Sequence, residues 1–264
     1  MIIWGKLIGA VLGFMMGGLF GAIIGALLGH QFDRGLGNFS GDFSAGMGGV
    51  SPSEIQRVFF EATFSVMGHL AKADGRVSEE EIALARQIMA RMGLSEAARH
   101  EAIALFSKGK ASDFALESML SRLHYATRRT RNLRQMFIEI QLHAAYADGE
   151  LNPAEKKLLL VICDELGFSA ADFARLDAMV RAEQHVGSGP VEQVSLDDAY
   201  AILNVSPQAS DSEVKRAYRK LTNQHHPDKL VAKGLPEEMM KLAEEKTREI
   251  RAAYERIREA RGMK

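Results

Sequence analysis

The residues of this chain best suited to chemistry are His226, Pro227 and Asp228, which close a segment rich in cations. Pro227 has no backbone donor, fixes its own φ and restricts the residue before it, so it ends the preceding helix and stiffens the corner. An imidazole and a carboxylate are thereby held in one pose, and Asp228 can accept charge-assisted hydrogen bonds. Lys215, Arg216, Arg219 and Lys220 share one side of the helix, and Lys215, Arg219 and Lys220, with an exposed Tyr218 among them, would steer that pose onto an acidic surface. Four cations alone would read as a solvated helix face; the adjoining His-Pro-Asp reverses that reading. Catalysis by His226 and Asp228 is not expected, since no nucleophile, HExxH helix, Walker loop or dinucleotide fingerprint accompanies them. No cofactor is called for. Nucleic acid fits poorly too: Asp211 and Glu213 open the cationic helix, no stacking aromatics are interleaved, and the net charge is −1.

Helices must position these groups. Six prolines and 7% aromatics among abundant Ala, Leu, Met, Glu and Arg favour an all-α protein. Ser210 and Glu213 form a capping-box pair that opens a helix over 211–225, with Val214, Ala217 and Leu221 on its apolar side. A short helix over 198–205 precedes it. A long one over 236–260 turns Ala243, Ile250, Ala253, Tyr254 and Ile257 inward.

Upstream lies an internal repeat. His69-x-Ala71-x-Ala73-Asp74-Gly75, with Ser78 and Glu81, recurs as His143-x-Ala145-x-Ala147-Asp148-Gly149, with Asn152 and Glu155; Gly93-x-Ser95 matches Gly167-x-Ser169. Each copy reads as helix, Asp-Gly turn, helix, with capping-box pairs opening the second helix and Pro153 at its first position. Ile55, Val58, Phe59, Ala62, Val66 and Leu70 line one face of the first helix. Later helices are expected over 95–108, 113–126, 129–147, 152–166 and 169–184. His69 and His143 read as buried, hydrogen-bonded core residues. Cys163 aligns with Met89, which suggests packing, and a lone cysteine allows no internal disulfide.

No residue from Leu7 to Gly29 is charged, and 23 apolar residues make about 35 Å of helix, enough for a bilayer core. The run is too long for a signal peptide and lacks a small-x-small cleavage site. Starting at Gly5, a glycine recurs every fourth residue at Gly9, Gly13, Gly17, Gly21, Gly25 and Gly29, a strip on which a second helix can pack closely. Lys6 and Arg34 flank the span, so the positive-inside count leaves its orientation open.

Two resemblances follow from these motifs. The segment containing Val214-x-x-Ala217-Tyr218-Arg219-Lys220-Leu221, His226-Pro227-Asp228 and Ile250-x-x-Ala253-Tyr254 resembles a J domain. It departs from the family at Asn204, where Gly is usual, and at Thr247, where an aromatic often packs. The repeat resembles the TerB-like, tellurite-resistance-type helical domain. Some members of that family are associated with divalent metal, which makes Asp74, Glu81, Asp148 and Glu155 a conceivable site. Turn formation and helix capping account for the same residues, and their spacing matches no tight calcium loop, so no metal is expected.

The order of parts resembles bacterial membrane-anchored DnaJ-like co-chaperones. The expected organisation is a short periplasmic N-terminus (1–6), a transmembrane helix (7–30), a Gly-rich linker (31–52), a TerB-like domain (53–184), a second linker (185–196) and a J domain (197–264). The glycine strip favours a homodimer, and the resemblance implies a single-pass protein of the bacterial inner membrane whose cytoplasmic J domain engages a DnaK-type chaperone through Lys215, Tyr218, Arg219, Lys220, His226, Pro227 and Asp228. The chaperone would be stimulated to hydrolyse ATP. A reading of another class is a membrane-bound stress or metal sensor working through the repeat domain.

Overall fold

The computed structural model describes residues 50–73, 89–90, 92–146, 149–187 and 194–263. Every regular element among them is helical, as the composition predicts. The helices are α1 (Pro52–Ala71), α2 (Glu96–Gly109), α3 (Leu116–Ala126), α4 (Arg131–Ala145), α5 (Pro153–Glu165), α6 (Ala170–Gly187), α7 (Leu196–Ile202), α8 (Asp211–Gln224), α9 (Pro227–Val231) and α10 (Met240–Arg261). A single 3-10 turn, Glu237–Met239, leads into α10. No described helix is long and apolar enough to cross a membrane. The span expected over 7–30 and its glycine strip lie outside the described residues.

Helix α1 is the pillar of the first half and packs against α2, α3, α4 and α5. Its buried face includes Val58, Phe59, Ala62, Val66 and Leu70 of the periodic set read from the sequence, and Ile55, in the first turn, is half-buried. Phe60, Phe64 and Met67 are buried as well, so the helix is enclosed by neighbours rather than lying on a surface. Its crossing with α2 is nearly backbone on backbone. A Cβ added at Gly68 would lie 2.0 Å from the Phe106 carbonyl oxygen, and one at Gly109 would lie 1.8 Å from that of Ser65. Helix α4 is likewise buried almost all round, and Gln141 Nε2 donates to the Thr63 carbonyl at 3.0 Å.

The repeat is visible in the turns. Gly93 and Gly167 both have left-handed φ (71° and 76°), and Ser95 and Ser169 each accept from the backbone N–H three residues on. Asn152 and Glu155 form the expected capping box, with Pro153 in the first turn. Met89 and Cys163, equivalent by the repeat, are both buried. Burial pushes the Cys163 thiol up to about 12, as befits a packed, unreactive side chain. Asp74, Gly75, Ser78, Glu81 and Asp148 lie outside the described residues.

Ser51–Lys264 forms one compact unit. Helix α6 continues to Gly187, and its Ala182 joins the core that α7, α8 and α10 build from residues such as Tyr200, Val214, Leu221, Ile250 and Ile257. Arg261, at the end of α10, ties down the α7–α8 loop by donating to the carbonyls of Pro207 (2.7 Å) and Ala209 (2.6 Å) and to the Tyr200 hydroxyl (2.7 Å).

Gly68→Ala forces apart two backbones that cannot repack like side chains. It should cost on the order of 3 kcal/mol of unfolding free energy, read as a lowered urea midpoint of a fragment spanning residues 51–264. An unchanged midpoint would mean that the α1–α2 crossing is looser than described.

Candidate functional site: a braced His-Pro-Asp corner

The corner is built outward from α8. At its start, the Ser210 backbone N–H donates to Glu213 Oε2 (2.7 Å) and the Glu213 N–H donates to Ser210 Oγ (3.4 Å), the reciprocal pair expected from their spacing. Val214 and Leu221 are buried on one side. The helix closes at His225, whose N–H donates to the Leu221 carbonyl. His226 then takes φ −59° and ψ 122°, the extended geometry that a following proline imposes. Pro227 occupies the first turn of α9, and buried Leu230 pins that helix, with its N–H donating to the His226 carbonyl at 3.0 Å. Asp228 is exposed, His226 is half-buried, and the His226 Nδ1 atom has no hydrogen-bond partner among the described residues.

On the cationic helix, Arg219 and Lys220 are exposed and make no hydrogen bond or ion pair among the described residues. Lys215 is half-buried. Tyr218, expected to be exposed, is half-buried instead. Its ring stacks on Tyr254 of α10 at 4.2 Å between centroids and 13° between planes, because an aromatic one turn from the J-domain core gains more from that contact than from water.

The two departures from the J-domain pattern have physical explanations. Asn204 has φ 52°, the sole left-handed non-glycine among the described residues, so the position demands what Gly supplies most easily and Asn tolerates. The Thr247 hydroxyl lies 3.1 Å from the His225 carbonyl and 2.8 Å from that of Ala243. It thus offers the end of α8 a polar tie where the family pattern has an aromatic contact.

The corner is also held from outside the J domain. Asn132 Nδ2 in α4 donates to the Gln224 carbonyl at 3.3 Å, one residue before the histidine pair. Gln56 Nε2 in α1 donates to the Leu235 carbonyl at 3.4 Å, and a Cβ at neighbouring Gly234 would collide with Ile55 Cγ2 at 2.5 Å.

Between these ties lies a buried ionic cluster that sequence reasoning missed. Lys246 Nζ donates to both Glu183 oxygens (2.6 and 2.7 Å) and lies 3.5 Å from Glu139 Oε2. His225 Nδ1 is 3.8 Å from that same oxygen, too far for a hydrogen bond. His143 Nε2 and Glu183 Oε2 are 3.2 Å apart. Lys246, Glu139, Glu183 and His225 are each no more than 4% exposed. Burial by itself would raise the Glu183 carboxyl, but Lys246 and then His143 outweigh it and hold Glu183 well below the usual carboxylate range. Burial would lower the Lys246 ammonium, yet Glu139 and Glu183 together push it above its usual value. His225 is pushed down by burial, so its imidazole is neutral at pH 7. One signal in the sequence could have revealed Lys246. It falls on the Ala243–Ile250–Ala253–Ile257 face of α10, where a lysine needs a buried counter-ion.

The histidines of the repeat are less enclosed than expected. His143 is half-buried and bound to Glu183; His69 is half-buried, tilts against the Phe114 ring at 5.4 Å, and its Nδ1 has no hydrogen-bond partner among the described residues. Of the acidic repeat residues only Glu155 is described, and its carboxylate caps α5. No group of three metal-ligating side chains occurs among the described residues.

A cationic helix ending in a proline-braced His-Pro-Asp corner with an exposed carboxylate, and backed by an antiparallel Ala-Tyr helix, defines a J domain. Residues 198–261 match the DnaJ domain family, residues 60–178 match the tellurite resistance protein TerB, and residues 1–39 match the co-chaperone DjlA transmembrane domain. The co-chaperone protein DjlA of Vibrio parahaemolyticus is 48% identical over 284 residues, covering 100% of both chains. That of Shewanella oneidensis is 46% identical over 271 residues, with 99% of each covered. That of Coxiella burnetii is 46% identical over 218 residues, covering 80% of this chain and 81% of its own. No solved structure matches. The chain belongs to the DjlA family of membrane-anchored, J-domain co-chaperones.

Lys246→Ala strands two buried carboxylates and should cost about 3–5 kcal/mol. Removing all three charges with Lys246→Met, Glu139→Gln and Glu183→Gln should recover most of it, as read from urea midpoints. Since Glu183 is depressed in the folded state, its contribution is full above the ordinary carboxylate pKa of about 4.3 and fades as pH falls below it. Lys246, raised when folded, contributes fully below about pH 10.4 and fades above that. The midpoint of the parent should therefore fall at both extremes of pH, and that of the triple variant should fall less at each. Parallel profiles would exclude the cluster as the cause.

Proposed function

We propose that this protein stimulates the ATPase of a cytoplasmic DnaK-type chaperone from the inner face of the bacterial inner membrane. The observation that carries the reading is the exposed Asp228 carboxylate, on a proline-braced backbone after a helix whose Arg219 and Lys220 have no partners among the described residues. Those cations steer the encounter, and Asp228 accepts hydrogen bonds from an arginine of the ATPase. The J domain does no bond chemistry. It binds one arrangement of the ATPase better than the other and shifts the population towards the hydrolysing form.

The anchor sets where this occurs. With a short periplasmic N-terminus, everything after the span lies with ATP and the chaperone in the cytoplasm. Close packing along the Gly9–Gly29 strip pairs two chains and hence two J domains, which raises the local concentration of the activating surface near membrane-associated clients.

In a steady-state ATPase assay with a DnaK-type chaperone, the full chain should accelerate hydrolysis. His226→Gln and Asp228→Asn should each abolish the acceleration while leaving the thermal unfolding temperature unchanged. Activity surviving in both would sink the proposal. Replacing Gly13, Gly17 and Gly21 by Leu should weaken self-association in a membrane two-hybrid assay; undiminished association would rule out that interface.

A further inference from the structure

A cleft of about 390 Å³ separates the first half of α6 from α8. Asp172, Arg175, Leu176 and Met179 line one wall and Ala217, Lys220, Leu221 and Gln224 the other. Both sets have the spacing of a single helix face. Arg131 also lines it. Three cations thus meet over a floor that includes the buried side chains of Leu176, Met179 and Leu221.

The single carboxylate is already committed. Asp172 Oδ2 accepts from the Ser169 N–H (3.0 Å), the Ser169 hydroxyl (2.8 Å) and Arg131 (3.4 Å), and its Oδ1 accepts from Arg175. Arg131 also donates to the Gly167 carbonyl at 3.0 Å and lies over the Phe168 ring at 4.1 Å, so its plane is set in advance. Lys220 is unpaired among the described residues. Two oriented guanidinium groups with spare donors and the Lys220 ammonium therefore border a cleft of mixed lining, polar at its rim with apolar side chains at its base, an arrangement complementary to a short acidic segment that also carries apolar side chains.

Lys220 belongs both to this cleft and to the cationic strip that leads to Asp228. A partner lying along α8 consequently reaches Arg175 without changing course. We infer that the chaperone-docking surface is composite: Arg131 and Arg175 of the TerB-like half, together with Lys220, receive an acidic, apolar-bearing segment of the same ATPase. The inference rests on the proposed function and deepens it. Asp228 triggers, while the cleft adds affinity and orientation.

The test varies the concentration of full-length protein in vesicles against a fixed DnaK-type chaperone. Arg175 is the informative position because, unlike Arg131, it supports no ring or backbone carbonyl. Arg175→Glu should raise the half-maximal concentration roughly fivefold to tenfold, leave maximal stimulation intact, and flatten the salt dependence. Arg175→Gln should show a smaller rise, and Arg175→Lys should recover most of the affinity. A defect of folding would instead lower the maximum together with the unfolding temperature. If the parent stimulates and Asp228→Asn does not, a superimposable Arg175→Glu curve overturns the composite surface and spares the proposed function. If the parent fails to stimulate at all, the proposed function falls. Direct binding of the chaperone to immobilised full-length protein then decides the inference separately, since equal affinity for parent and Arg175→Glu would overturn it.

Discussion

Lys246 is a cation on the apolar face of a helix, and its burial is tolerable because Glu139 and Glu183 reach it from the TerB-like half. Taking an ammonium and two carboxylates out of water costs several kcal/mol each after relaxation. The cost is recovered only at short range and with hydrogen bonds in place. Apolar surfaces can slide over one another with little change in energy, whereas a desolvated ion pair loses its compensation after a small displacement. The cluster therefore specifies an orientation of the J domain as well as a contact. Glu183 and Ala182 are adjacent on α6, so the same turn supplies a counter-charge to α10 and an apolar side chain to the J-domain core.

From that constraint follows the stiffness of the functional corner. Proline braces it locally by restricting His226 and opening α9. The tertiary ties brace it globally: Asn132 holds the last turn of α8, Thr247 lies against the His225 carbonyl, and the Ile55–Gly234 approach leaves the next loop little room. A backbone braced this way loses little conformational freedom when a partner binds, so more of the interaction energy remains as affinity. The His225 ring is buried at the residue just before the motif, and its backbone N–H donates to the Leu221 carbonyl. The exposed Arg219, Lys220 and Asp228 are thus carried on a base whose own polar groups are turned inward.

The TerB-like half consequently does more than space the J domain from the membrane. It contributes Glu139, Glu183 and Asn132 to the support of the corner and places Arg131 and Arg175 beside Lys220. Its internal repeat, with matched glycine turns and serine caps, supplies a rigid frame on which these side chains are set out.

Much was readable from local chemistry. Capping boxes at Ser210–Glu213 and Asn152–Glu155, the proline stop after His226, the face of α1 and the His-Pro-Asp motif are short-range patterns in which each partner lies within a few residues of the next. Helix type, the repeat and the J-domain signature were therefore determined by the sequence itself. The partial burial of Tyr218 against Tyr254 was not, nor were the joining of α6 to the J-domain core and the partnership of Lys246 with Glu183 and Glu139. These contacts link residues dozens to more than a hundred positions apart, and a lone Lys or Glu reads as solvated until another element delivers its counter-ion. Only the tertiary structure settled which charges left water together, because desolvation is decided by everything that packs around a group and not by its neighbours along the chain.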